Sequence, residues 1–301
     1  MSWEDLIDSG IARRNVALAR HTTYKLGGEA DLFVEVARME DVDGLAEAMR
    51  DESRPVLVLG RGSNLLISDA GFRGVVVRLG SKFTTVEVDD DGLVRAGGAL
   101  SLPRLARAAS QEGRGGLEWC VGVPGSVGGA VRQNAGCFGS EVADVLVDAE
   151  IVSLSDGRRR RRDGSDLDLS YRHSAVATTD LVVEAQFRTL PTDPVEAADE
   201  MRRVTRWRRD HQPGGTLNAG SVFKNPPGGA AGAIIDALGL KEFSVGRVRV
   251  SPRHANFIEA ESGATAADVH ALILTVQARV EEEAGIRLEP EIQFVGFEAG
   301  D

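Results

Sequence analysis

The chain has 301 residues, 42% apolar and only 5% aromatic, so it can bury more than one core, built on Val, Leu, Ile and Ala rather than on rings. Its formal net charge of −11 argues against nucleic acid or an anionic membrane surface as partner, and any anionic ligand must meet local basic groups. The two cysteines, Cys120 and Cys137, form no C-x-x-C pair; no apolar run approaches the ~20 residues of a membrane span, and the opening residues lack the apolar core of a secretory signal. The expectation is a cytoplasmic chain with free thiols, no membrane insertion and no nucleic-acid partner.

In chain order, Ser2 to Arg14 reads as a short helix and Ala30 to Val36 as a strand. Asp41 to Arg50 has helical periodicity, and Pro55 to Gly60 is a short apolar run typical of a buried strand. It opens into Gly60-Arg-Gly-Ser-Asn64, a loop signal, and Val75 to Leu79 is the next strand. Thr84 to Val88 and Leu93 to Ala96 flank an Asp-rich turn as a hairpin. Ser101 to Glu112 is a helix with Pro103 in its first turn and Gly113 past its end. Ala149 to Leu154 and the basic run Arg158 to Arg162 form a second hairpin, whose arginines read as a solvated arm. Leu181 to Thr189 is a strand, and Pro191 to Pro194 marks a boundary, giving domains 1–192 and 193–301. Val195 to Asp210 is a helix with Arg202, Arg206 and Arg209 on one face, suited either to its own C-terminal dipole or to a phosphate. A short helix spans Ala230 to Leu238. Thr265 to Ala284 is amphipathic, capped by Thr265 and Asp268 and ended by Gly285, and Glu291 to Phe297 is a last strand. The order lacks regular βαβ alternation and a G-x-G-x-x-G fingerprint, so the fold class is α+β rather than a doubly wound sheet.

Five stretches carry chemistry. Gly60-Arg-Gly-Ser-Asn64 follows a strand, and its glycines let a phosphate approach the main chain; a plain tight turn explains them as well. Val123 to Ala130, followed by Asn134-Ala-Gly136, is a second glycine-rich loop; two such loops suit a dinucleotide such as FAD, or simply a tightly turned fold. Ser170-Tyr-Arg-His-Ser174 sets an arginine fork beside an aromatic, able to grip a carboxylate. Asn218 to Asn225 holds Ser221 near Lys224, and Pro290 fixes the backbone beside Glu291.

Together and in order, these stretches resemble the UDP-N-acetylenolpyruvoylglucosamine reductases, the MurB family, also called UDP-N-acetylmuramate dehydrogenases. The resemblance rests on Thr22-Thr-Tyr-Lys-Leu-Gly-Gly-Glu-Ala-Asp31, Leu59-Gly-Arg-Gly-Ser-Asn-Leu-Leu66, Gly122-Val-Pro-Gly-Ser-Val-Gly-Gly-Ala-Val131 with Asn134-Ala-Gly136, Tyr171-Arg172, Ala219-Gly-Ser-Val-Phe-Lys-Asn-Pro226, His254-Ala-Asn-Phe257 and Leu288-Glu-Pro-Glu291, across about residues 20 to 297. It implies an FAD-binding domain of the vanillyl-alcohol oxidase and p-cresol methylhydroxylase type and a C-terminal α+β domain for the UDP-sugar. It implies non-covalent FAD, NADPH as reductant, and reduction of an enolpyruvyl UDP-sugar to UDP-N-acetylmuramate for peptidoglycan, in a monomer.

Carried onto this sequence, the resemblance makes Arg172 the carboxylate holder, Ser221 the proton donor and Glu291 the residue that orients Arg172 or polarises the intermediate. Gly60, Gly62, Ser63, Asn64 and Leu65 would contact FAD, as would Gly122, Pro124, Gly125, Ser126, Gly128, Gly129 and Ala130, with Asn134 and Gly136. Tyr171, Arg206, Arg209, Lys224, Asn225 and His254 would contact the substrate. The chain looks like the shorter subtype, without an extra aromatic loop after Tyr171, so a clamp on the diphosphate must come from elsewhere. His254 stands where other members carry glutamine. An FAD-dependent alcohol or lactone oxidase, or a non-catalytic UDP-sugar-binding flavoprotein, are the alternatives.

Overall fold

The computed structural model describes residues 1–297. The first helix, α1 (Trp3–Asp8), is capped by Ser2 and Asp5 and stops early, because Gly10 turns the chain at φ +77°. The residues after it form a strand, β1 (Ala12–Ala17), where a continued helix was expected; its burial shows no alternation for periodicity to report. There follow β2 (Glu29–Val36), α2 (Met39–Asp51), β3 (Val56–Val58), β4 (Leu65–Ile67) and β5 (Phe72–Leu79). Next come the hairpin β6 (Val86–Val88) and β7 (Leu93–Gly97), helices α3 (Leu102–Gln111) and α4 (Val127–Gln133), and strands β8 (Leu146–Ser153), β9 (Arg159–Asp163) and β10 (Asp180–Arg188). The chain ends with α5 (Pro194–His211), α6 (Ala231–Ala237), three short strands at Ser244–Val245, Val248–Val250 and Ile258–Ala260, α7 (Ala266–Ala284) and a last strand Gln293–Val295.

These elements cluster into two compact units interleaved in sequence. The first holds residues 1–15, 31–61 and 74–208, and the second holds 16–30, 62–73 and 209–301. In the first unit, a five-stranded sheet runs β9-β8-β10-β7-β6, all pairs antiparallel. The basic arm β9 lies at its edge, where Arg159 pairs with Glu150, and Arg161 with Asp148 at 2.5 Å and Glu184 at 2.7 Å. The solvated-arm reading holds, and charges on an edge strand also discourage pairing with another chain. One face packs α3 and α4 through Leu105, Ala109, Val127 and Val131; the other meets Val34, Val75 and Val77 of the neighbouring four-stranded sheet.

The second unit is built around α7. Val269, Leu272, Ile273, Val276 and Val280 form the expected stripe, all fully or almost fully buried. They pack with Val248, Val250 and Ile258 of the three-stranded sheet and with Tyr24 and Leu66 from the N-terminal stretches. The Tyr24 hydroxyl donates to the Ile258 carbonyl at 3.2 Å. The last strand pairs in parallel with β4, Gln293 opposite Leu65. Of the expected span Glu291 to Phe297, only the middle is a strand.

Candidate active site

In the first unit, Arg172 sits at the tip of a two-residue turn. Ser170 and His173 exchange main-chain hydrogen bonds of 3.2 and 2.9 Å, which leaves Tyr171 and Arg172 to make the reversal. Arg172 takes φ +56°, a left-handed conformation that side chains larger than glycine's adopt at a cost of about 1–2 kcal/mol. The surroundings hold it there. Asn134, completely buried and itself at φ +43° after α4, donates to the Ser170 carbonyl at 2.9 Å and accepts from the Ala143 N–H at 2.9 Å. Ser174 donates to the Arg132 carbonyl at 2.7 Å on the other side. The half-buried Arg172 guanidinium donates to the Gly136 carbonyl at 3.3 Å and lies 5.0 Å from the Tyr171 ring centroid. Tyr171 is exposed.

Near this turn lies a cation that sequence reasoning missed. Arg208, on α5, contacts the position a Cβ would take at Gly122, and burial lowers its pKa. Arg208 and Arg172 both bear on the Cys137 thiol, which burial nonetheless pushes up to about 11. The expected face of Arg202, Arg206 and Arg209 is exposed; Arg202 pairs with Asp199, and Arg209 with Asp210 at 3.2 Å. The signal for Arg208 was present. Ala197, Met201, Val204 and Arg208 follow helical spacing along the inward stripe, and a cation on an apolar stripe asks for an anion.

The glycine-rich loop before α4 is tightly packed. Ser126 caps α4 by accepting from the Gly129 N–H at 3.3 Å, and the N–H groups of Val127 and Gly128 go to the carbonyls of Leu100 and Gly98 at 2.8 and 2.9 Å. A Cβ on Gly128 would press on the carbonyls of Val182 and Gly98, so this glycine serves helix-to-sheet approach. Gly129 is exposed, and a Cβ there would meet only the Ser126 hydroxyl. Pro124 is exposed, Gly125 accepts from the Leu102 N–H, and Ala130 accepts from Ala135.

The loop at 60–64 differs. Gly62 is buried at φ +62°, its missing side chain required by the His21 main chain. The N–H groups of Gly60, Arg61, Gly62 and Ser63 donate to no main-chain acceptor among the described residues. Donors left over in a glycine-rich turn after a strand are the fit a phosphate asks for. Gly60 is exposed and abuts the Ser126 hydroxyl within the first unit.

In the second unit, Ser221 lies on a segment clamped from both sides. The Val222 N–H donates to the Asn256 carbonyl at 2.9 Å. Asn256, 4% exposed, accepts from the Phe223 N–H at 2.9 Å and donates to the Phe223 carbonyl at 2.8 Å. On the other side the Glu291 N–H donates to the Val222 carbonyl at 2.7 Å, and the Lys224 N–H to the Glu289 carbonyl at 2.8 Å. Asn64 donates to the Glu291 carbonyl at 3.0 Å and its own carbonyl accepts from the Gln293 N–H. Ser221, Glu291 and Asn64 are thus fixed to one another through main chain, with Ser221 and Glu291 half-buried. Leu65 is buried in β4 beside them.

Lys224 pairs with the exposed Glu289 at 2.5 Å. Asn225 caps α6, accepting from the Ala231 N–H at 3.0 Å. His254 accepts from the Asn256 N–H at 3.2 Å through Nδ1, lies edge-on to Phe257 at 4.9 Å, and touches Gly232 of α6. Burial, and secondarily Lys241, lower its pKa against Asp236, so it is held neutral. Arg253 donates to the carbonyls of Arg209 and Gln212, closing the end of α5. The structure therefore gathers Asn134, Gly136, Tyr171 and Arg172 in one unit, and Asn64, Ser221 and Glu291 in the other. Among the described residues no group of His, Cys, Asp and Glu could hold a metal ion, and no helix is long and apolar enough to cross a membrane.

Comparison with known proteins agrees across nearly the whole chain. Residues 30–162 match the FAD binding domain family, and residues 212–295 match the C-terminal domain of UDP-N-acetylenolpyruvoylglucosamine reductase. UDP-N-acetylenolpyruvoylglucosamine reductase 2 of Symbiobacterium thermophilum is 42% identical over 290 residues, 96% of this chain and 94% of that protein. The reductase of Heliobacterium modesticaldum is 43% identical over 285 residues, 94% and 90% of the two chains. The crystal structure of UDP-N-acetylenolpyruvylglucosamine reductase from Thermus caldophilus superposes with a TM-score of 0.82 at 35% identity, covering 94% of this chain and 99% of that one.

Proposed function

The chain belongs to the UDP-N-acetylenolpyruvoylglucosamine reductase family, and from that premise we propose that it uses FAD and NADPH to reduce UDP-N-acetyl-3-O-(1-carboxyvinyl)glucosamine to UDP-N-acetylmuramate, a precursor of peptidoglycan. The observation that carries the reading is identity above 40% along more than nine-tenths of the chain, spanning both domain matches. The enzyme works as a cytoplasmic monomer, with the flavin held chiefly by residues 1–192 and the sugar nucleotide by residues 193–301.

FAD, when bound, supplies the hydride that NADPH has delivered. The donors of Gly60 to Ser63 would face its phosphates, with Asn64 and Leu65 continuing that edge. The loop from Gly122 through Pro124, Gly125 and Ser126 to Gly128, Gly129 and Ala130, then Asn134 and Gly136, would line the remainder. Arg172 holds the substrate carboxylate and stabilises negative charge developing on the adjacent carbon. A fixed donor of this kind is worth roughly 3–4 kcal/mol. Its strained turn, bracketed by Asn134, aims the guanidinium before substrate arrives, so little reorganisation is left for the reaction. Ser221 Oγ gives its proton to the carbanion carbon, a reading supported by the clamped main chain of Val222 and Phe223, which holds the segment still. Glu291 orients Arg172 or polarises the intermediate. Tyr171, Lys224, Asn225 and His254 contact the sugar nucleotide, with Arg206 and Arg209 toward its diphosphate.

The test is an absorbance spectrum. Purified protein should be yellow, bleach on anaerobic NADPH and recover its colour when the enolpyruvyl UDP-sugar is added. A folded preparation that takes up no added FAD, or bleaches but is reoxidised only by oxygen, sinks the reading.

A further inference from the structure

Phe138 and Trp207, both in the first unit, form an exposed aromatic pair. Their ring centroids are 5.2 Å apart at 83°, and they are 37% and 41% exposed. Phe138 occupies an unusual place. Gly136–Cys137 and Ser140–Glu141 are paired antiparallel, with Phe138 and Gly139 as the two-residue turn. Both turn residues have positive φ, +57° and +81°, a turn that favours Asn, Asp or Gly at its first position. A bulky ring there costs about 1–2 kcal/mol of backbone strain and still leaves over a third of its surface open.

The neighbours of the pair suggest its use. Cys137 precedes Phe138, Arg208 follows Trp207, and the Arg208 side chain and the Cys137 thiol meet at the Gly122 position. The Arg172 guanidinium donates to Gly136 on the same hairpin. An open aromatic face, backed edge-on by a second ring and beside two half-buried cations, complements a ligand with a flat base at one end and an anion at the other. Stacking on exposed rings tolerates any base, whereas guanidinium groups select for phosphate.

We propose that Phe138 and Trp207 form a stacking platform for the base of a nucleotide whose phosphate groups lie toward Arg208. This rests on the reductase reading, which provides two such nucleotides, the UDP-sugar and NADPH. It would also supply, from α5 and a hairpin tip, aromatic contacts that the shorter sequence lacks after Tyr171.

Fluorescence isolates the platform, because Trp3 and Trp119 are buried at 6% and 5% exposure while Trp207 is open. The FAD-loaded enzyme is titrated with UDP and, separately, with NADP+, alongside Trp207→Phe. The difference in emission between the two proteins should fall saturably with one nucleotide, which identifies the source of the base. Trp207→Leu should raise KM for the corresponding substrate by about fivefold to about a hundredfold, with kcat within about twofold, and Trp207→Phe should restore it. If neither nucleotide changes the emission and Trp207→Leu leaves both KM values unchanged, the platform is overturned. Concentration-dependent self-association that disappears in Trp207→Leu also overturns it, marking the rings as a protein interface. A wild-type enzyme that turns over normally while Trp207→Leu is silent defeats this inference alone. A wild type that never reduces the enolpyruvyl sugar defeats the reductase reading, and the UDP and NADP+ titrations still decide the platform.

Discussion

Arg172 and Ser221 are each positioned by a buried asparagine, but the two brackets work differently. Asn256 holds the Ser221 segment as a strand would, with its side chain on the Phe223 N–H and carbonyl and its main chain on Val222. It is helped by the Glu289 to Ile292 segment on the opposite side. Asn134 holds the Arg172 turn through a single bond to Ser170 and spends its oxygen on Ala143, while adopting a left-handed backbone itself. In the proposed mechanism this difference has a use: the segment of the hydroxyl that is to meet one carbon is clamped from both sides, whereas the guanidinium, whose fork tolerates small shifts, stands on a strained turn with fewer ties.

The sharpest way to break this comparison is at the hydroxyl. Ser221→Ala should lower the rate of the step that consumes the enolpyruvyl sugar by about 10²- to 10⁴-fold, with reduction by NADPH nearly intact in stopped-flow absorbance. Equal loss in both half-reactions would give the serine a different job. Next in size, Asn256→Ala strands the Phe223 N–H and carbonyl in a buried site, which should cost roughly 2–5 kcal/mol in urea unfolding and slow the same step as Ser221→Ala. Asn134→Ala should cost roughly 2–3 kcal/mol and raise KM for the sugar nucleotide; Asn134→Gly should recover about 1 kcal/mol of stability but none of the binding, because it relieves the backbone without restoring the bond to Ser170. If the two Asn134 variants unfold at the same urea concentration, the left-handed conformation carries no cost there.

The smallest effect concerns His254. Its pKa is lowered in the folded protein, chiefly by burial, so the unfolded chain binds more protons as the medium acidifies. Its contribution is present above the ordinary histidine value of about 6.5 and is lost as pH falls through that value toward the folded one. The stability gap between wild type and His254→Gln should therefore shift in favour of the glutamine variant from about pH 7.5 to about pH 5.5. Lys241 and Asp236 face the imidazole with opposite effect, so Lys241→Met should shrink the shift.

Much of this was readable before the structure. The stripe of α7, its Thr265 and Asp268 cap, and the Arg-rich hairpin arm follow from periodicity and turn chemistry, which are local properties. Strand β4 was not readable, because three residues become a strand only by pairing with Gln293–Val295 far along the chain. The start of the chain misled, since Ala12–Ala17 is polar on nearly every position and its pairing comes from neighbours. For the proposed site, motifs pointed to Arg172, Ser221 and Glu291, but not to what holds them. Asn134 looked like part of a cofactor loop, and Asn256 had no visible task inside His254-Ala-Asn-Phe257; each acquires its role from backbone groups distant in sequence. Arg208 was legible in principle, as the cation that breaks the inward stripe of α5.

The parallel pairing of Leu65 with Gln293 has a consequence during synthesis. At ribosomal speeds of about 5–20 residues per second, the nascent Tyr24 and Leu66 wait roughly 10–50 s for the helix and strands that bury them. A polypeptide released before α7 leaves those apolar side chains without the helix that packs with them, open to chaperones and proteases. Quality control can therefore tell a chain that has made α7 from one that has not by whether Tyr24 and Leu66 are still uncovered.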